Sequence, residues 1–432
     1  YRLAGSNGWQ WWFMDTNRLV VTFTPSVDSV AILDGNADLW TNQSGLNQDI
    51  GIAVSGPNYP SSNGQPEGWK ESGGANVSSP NAANVQVVIN VAANATYQAF
   101  LEWKGNRSTS GTIVAGAGPV AGKFAATCLS YLLVPRSGGT VAAATHSQQY
   151  HYSNSNGSTW KPIDPAHLSL TVVPPTDGKL VLSGNADLWV STAGYNQDIG
   201  IMVTGGIYGT NTLAAWKESG GLASNFNPNA AFVMDVLPVQ TGVSYTLTLV
   251  WKASRSDPYT IWAGAGPVAQ KFSPTSLTSI FLPTGSVVDV PVTRQLQLSS
   301  NDGSTWRFMD PALTGVAPIT PTKDCEVFVS GNADLWTGSA GYNQDFGIYV
   351  SGSPFPSVAG QPETWKESGG GTANAPNAAF VQLVVSLHAN TLYTFSLVWK
   401  ANRLDRGTIY AGAGPYGGSF SPTRLVLQPQ NC

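Results

Sequence analysis

Six charged residues and a small set of amides and indoles return three times along the chain. The first copy holds Asn47, Gln48 and Asp49, then Trp69, Lys70 and Glu71. The second holds Asn196, Gln197, Asp198, Trp216, Lys217 and Glu218, and the third Asn343, Gln344, Asp345, Trp365, Lys366 and Glu367. Asp38, Lys104 and Arg107 complete the first charged set, with Asp187, Lys252 and Arg255, then Asp334, Lys400 and Arg403, in the other two. Each set sums to zero formal charge. Planar amides and carboxylates match the donor and acceptor pattern of a polyol. An indole face suits the apolar side of a sugar ring. These types on loops of a rigid frame predict one carbohydrate site per repeat. Asn, Gln, Asp, Trp and Glu of each set are the expected contacts. A structural reading stands beside it: the carboxylates pair with Lys or Arg and cap turn amides.

Other chemistry is less well supplied. Asp49 and Glu71 could form a glycosidase pair, which needs carboxyls roughly 5–9.5 Å apart with distinct protonation. Lys70 beside Glu71 favours the charged form instead, and a catalytic groove is an unusual thing to triplicate. A non-enzymatic protein is therefore expected, with a glycan-active hydrolase as the remoter alternative. The four histidines, His146, His151, His167 and His388, have no repeated counterparts. No nucleophile elbow, P-loop or dinucleotide fingerprint stands out. Scattered His and Cys argue against zinc. Asp38, Asn47 and Asp49 offer hard oxygens for calcium, although neutralisation by Lys or Arg is the plainer use of these aspartates. No cofactor is otherwise expected.

The segment SSNDGSTW (299–306) resembles the aspartate box, Ser-x-Asp-x-Gly-x-Thr-Trp, at Ser299, Gly303, Thr305 and Trp306. Asn301 stands at the Asp position there, Ser155 in the second copy and Ser6 in the first. In sialidases and other β-proteins that motif marks a hairpin turn remote from chemistry. The resemblance implies a turn held by side-chain hydrogen bonds, not sialidase activity.

The elements that must position these residues are themselves triplicated. GNADLW opens each copy at Gly35, Gly184 and Gly331; WKESGG, PNAA, a YxxxLxWK strand and AGAGP follow in the same order. The period is roughly 147 residues, too long for a solenoid repeat of about 20–50 and long enough for a domain. The expected units are 1–146, 147–292 and 293–432. Short runs such as VQVVINVA and YTFSLVWKA carry β-branched and aromatic residues between turn signals. An all-β chain of three tandem antiparallel β-sandwich, jelly-roll-like domains is predicted. The links 134–145 and 283–293 read as extended connections.

Composition bounds the function. Charged residues make up 11% of the chain, against roughly 25% in ordinary soluble domains. The net charge is -4 with no basic tract, so nucleic acid is not an expected partner. No run is long and apolar enough for a transmembrane helix. Low Lys with much Asn, Thr and Gly fits a secreted or cell-surface protein. Five N-x-S/T sequons begin at Asn42, Asn76, Asn94, Asn106 and Asn156; a secretory pathway would make it a glycoprotein. Of Cys128, Cys325 and Cys432, the last two flank the third unit, and either a bridge between them or three free thiols fits the sequence. The expected function is that of a secreted multivalent lectin binding extracellular or cell-surface glycans, linked sites gaining avidity. The rival is a structural surface or filament subunit whose apolar, Thr/Ser/Asn-rich edges pair between molecules by self-association.

Overall fold

The computed structural model describes residues 1–59, 64–73, 77–137, 140–219, 227–310, 318–369, 372–404, 407–430 and 432. The Asn76 sequon lies outside these. The described chain is built of antiparallel strands in six sheets, two per repeat. Each repeat is a β-sandwich with its own apolar core.

One sheet of each sandwich is organised around a long strand: Ser29–Thr41, Gly178–Val190 or Cys325–Thr337. Alternation along a strand sends successive side chains to opposite faces. Ala31, Leu33, Ala37 and Leu39 enter the first unit's core. Ile32, Asn36 and Asp38 go the other way, yet they too are buried. The neighbouring strand Asn81–Val91 divides likewise: Ala83, Val85, Val87 and Ile89 face inward, and Ala82 joins the core of the third unit. Ala230 enters the first unit's core and Ala378 the second's. These sheets therefore have a core on one face and the other two units on the other. Ile32, Val181, Phe232, Met234, Ile280, Phe380 and Val426 close a shared apolar centre. NADLW is part of this long strand in every unit.

The second sheet holds the rest of the repeated set. Gln48–Ser55 lies between Gly68–Ser72 and Tyr97–Gly105. In that register Asp49 sits opposite Glu71 on one side and Lys104 on the other. The same cross-strand row is Glu218–Asp198–Lys252 in the second unit and Glu367–Asp345–Lys400 in the third. Residues expected on loops are thus strand residues.

Sheet membership moves two boundaries. Val141–His146 pairs with Thr275–Pro283 and so belongs to the second unit. Val288–Val292 pairs with Thr423–Gln430 of the third. The extended links are sheet edges, because their backbone groups find partners there. The equivalent first-unit strand, Cys128–Pro135, pairs with Ser29–Asn36 and, among the described residues, with no strand on its other side.

Side chains hold the aspartate-box turns. Asn301 Oδ1 accepts the amides of Gly303 and Ala401, both at about 3 Å. Ser155 Oγ takes the same place for Gly157 and Ala253, and Ser6 Oγ for Gly8 and Gly105. Cys325 and Cys432 form a disulfide, while Cys128 is a free, half-buried thiol. No described helix is long and apolar enough to cross a membrane.

Candidate functional site

The repeated polar residues lie where one unit meets the next. Glu71 N–H donates to Asp187 Oδ1 of the second unit at 3.0 Å, Glu218 N–H to Asp334 of the third at 3.2 Å, and Glu367 N–H to Asp38 of the first at 3.0 Å. Lys70 donates to the carbonyl of Pro274, Lys217 to that of Pro422, and Lys366 to that of Ala126. Asn36, Asn185 and Asn332 each bond one carbonyl in their own unit and one in another. Asn81, Asn229 and Asn377 form a closed cycle, amide to carbonyl oxygen, at 3.0, 3.3 and 3.2 Å. The first unit grips the second, the second the third, and the third the first.

Each predicted tryptophan is a wedge. Trp69, Trp216 and Trp365 are each 5% exposed. They sit against Gly266, Gly414 and Gly118 of the next unit's AGAGP loop. A Cβ on Gly266 would lie 3.0 Å from Trp69 Cη2, and φ there is +99°. Only glycine meets both demands comfortably. Trp11, Trp160 and Trp306 pack edge-on against these wedges.

The expected outward display of the repeated residues is therefore corrected. Asn47, Gln48, Asp49, Trp69 and Glu71 are buried, as are Asn196, Gln197, Asp198 and Trp216, and Asn343, Gln344, Asp345, Trp365 and Glu367. Glu218 is half-buried. Buried polar groups demand partners, and each of these amides and carboxylates has at least one. Gln48 bonds the carbonyls of Trp40 and Val114, tying the two sheets together; Gln197 and Gln344 do the same. Lys104 pairs with Asp49, Lys252 with Asp198 and Lys400 with Asp345. Glu71 accepts from Asn47 and Asn106, both at 2.9 Å. Of the oxygens considered for calcium, those of Asp38 face Glu367 of the third unit, while Asn47 donates to Glu71 and Asp49 pairs with Lys104.

Burial dominates the electrostatics. It pushes the Glu71 carboxyl up to about 8, and neighbouring Asp49 adds to the rise. Glu367 rises to about 7 for the same reasons. Burial lowers Lys70 to about 8 against the opposing pull of Asp187, and Asp187 rises to about 6 by burial.

Open space remains where the first two units meet. A cavity of about 410 Å³ lies between the first two units, lined by Asp49, Glu71 and Asn106 on one side and by Gln149, Trp189 and Pro267 on the other. Asp49 Oδ1 and Asn106 Oδ1 are buried there without a hydrogen-bond partner among the described residues. Asn106 was read from the sequence only as a sequon, and Gln149 not at all. Asn106 in KGNR and Gln149 in SQQY share no sequence context, so nothing local showed that they would line one cavity from two units.

No family model matches the sequence, and no curated protein matches it. Among solved structures, the infectious bursal disease virus VP2 subviral particle is 14% identical with a TM-score of 0.21, covering 67% of this chain and 76% of that one. The CBM22-1–CBM22-2 tandem of Paenibacillus barcinonensis Xyn10C is 9% identical with a TM-score of 0.19, covering 67% and 90%.

Proposed function

We propose that the chain is a non-catalytic extracellular structural protein, a rigid three-unit ring that joins other copies through one open sheet edge. The observation that carries this is the strand Cys128–Pro135. Its counterparts are covered by Val141–His146 and Val288–Val292, but it is half-buried along most of its length. It borders a groove of about 380 Å³ lined by Leu129, Tyr131, Leu133, Phe328 and Val384. A bare, apolar edge is a template for a strand from another molecule. The disulfide suits an oxidising compartment. Sedimentation velocity over a concentration series tests the reading. Reversible association, blocked by a peptide carrying residues 140–147, supports it. A monomer at every concentration overturns it.

The second reading is carbohydrate binding, now confined to the inter-unit cleft. Its support is the 410 Å³ cavity with unpartnered Asp49 Oδ1 and Asn106 Oδ1. The volume falls in the usual ligand range of about 300–1,000 Å³. A neutral Glu71 carboxyl can donate as well as accept, as a sugar hydroxyl requires. A glycan array tests it: binding lost in Gln149→Ala with folding intact supports the cleft, and an array without signal removes it.

A further inference from the structure

The second unit departs from the other two at one repeated acid. Asp15, Asp164 and Asp310 occupy equivalent places after the aspartate-box turn. In the first unit Arg18 stands 3.9 Å from Asp15; in the third, Arg294 Nη2 donates to Asp310 Oδ2 at 2.6 Å. Arginine never deprotonates in proteins and offers no lone pair. In the second unit two imidazoles take its place, and an imidazole can be a ligand.

His167 Nδ1 lies 2.9 Å from Asp164 Oδ2, and His146 Nδ1 lies 3.5 Å from the same oxygen. The two rings stack with centroids 4.2 Å apart and planes 12° from parallel. Tyr150 adds a hydroxyl, 3.0 Å from Asp164 Oδ2 and 2.5 Å from His146 Nδ1. One ligand atom from each of His146, Asp164 and His167 falls within 4.8 Å of the others. Tetrahedral zinc with bonds of about 2.0–2.1 Å places its ligand atoms about 3.3 Å apart, between the two observed separations. Asp164 is fixed independently, since its Oδ1 accepts the amides of Ala166 and His167 at 3.0 and 3.2 Å. The strand Val141–His146 fixes the other imidazole. His146 is partly exposed and His167 exposed, so an ion has access from solvent.

We propose that His146, Asp164 and His167 form a binding site for a divalent transition-metal ion of the zinc type, with water in the fourth position and the Tyr150 hydroxyl beside His146 Nδ1 and Asp164 Oδ2. The site belongs to the second unit alone and is independent of the inter-unit cleft. Its role is structural: the ion ties the incoming strand to the turn, as Arg294 does in the third unit.

Calorimetric titration of the metal-free full chain with zinc chloride tests this. One equivalent should bind with a Kd on the order of 10 µM or tighter. His167→Ala and His146→Ala should each weaken binding by about tenfold or more, with unchanged circular dichroism. His151→Ala and His388→Ala should leave it unchanged. Cobalt(II) should give the visible absorption of a tetrahedral site in the wild type and lose it in His167→Ala. A wild-type chain without stoichiometric zinc binding overturns the proposal, as does binding that survives loss of both His146 and His167.

Discussion

Asn36 in the first unit donates its side-chain amide to the carbonyl of Phe380 in the third, 3.0 Å away across 344 residues of sequence. The bond returns the chain to its beginning. Asn185 and Asn332 make the other two such bonds, to Asn84 and Phe232. A linear string of sandwiches would leave the first and last units unpartnered at one face each. Here all three faces meet, so a residue kept three times serves one closed arrangement.

Replacing Asn185 by Ala should cost about 1–3 kcal/mol. The change strands two buried carbonyls, Asn84 in the first unit and Ala231 in the second, and each loses a partner it cannot recover from water. Urea denaturation of the variant against the wild type measures the loss. The m-value should not change.

Gly266→Ala should destabilise by a similar amount, for a different reason. The new methyl would press on Trp69 Cη2 at 3.0 Å, with the backbone held at φ +99°. Trp fluorescence should report displacement of the wedge. Ala at Gly242, which has open space around its Cβ position, should cost less, since only the backbone term remains.

Stability should fall as pH rises from about 4.5 to 8. The Glu71 carboxyl goes from an ordinary 4.5 to about 8 on folding because burial opposes its charge. Between those values the folded state holds a proton that the unfolded state has released, so raising the pH favours unfolding. Asp187, Asp198, Asp334 and Asp345, raised to about 6 chiefly by burial, act in the same direction between 3.8 and 6. Glu71→Gln keeps the neutral shape. It should be near neutral at pH 5 and stabilising at pH 8 by roughly 4 kcal/mol, at about 1.4 kcal/mol for each pH unit between the two values. Thermal melts across this range check both the sign and its removal.

Lys104→Met should be among the most damaging single changes, at about 3–5 kcal/mol, because it leaves Asp49 buried without its cation. The double variant Lys104→Met with Asp49→Leu should recover much of that loss. A double-mutant cycle by chemical denaturation gives the coupling.

The sandwich architecture was legible because it depends on local pattern: runs such as VQVVINVA alternate and end in turns. The triplication was legible for the same reason. The direction of the repeated side chains was not. Period two in SVAILDGNADLWT separates Leu33 and Leu39 from Asn36 and Asp38, but says only that they occupy opposite faces. Whether the second face meets water or another unit depends on contacts between residues about 100 to 340 positions apart. An exposed face and an axial face read alike when the axial one is polar. The metal cluster was hidden similarly: His146 and His167 are 21 positions apart, and folding brings both to Asp164. The links illustrate the converse. Their extended character was readable, but their sheet was decided by the partner strand.

Differential scanning calorimetry of the intact chain tests the closed ring most directly. If the triplicated acids, amides and indoles bind the units to one another, the chain unfolds in a single transition with a ratio of calorimetric to van't Hoff enthalpy near one, and Asn36→Ala lowers the whole transition. Separate transitions for the units, with Asn36→Ala moving only one of them, would contradict the account.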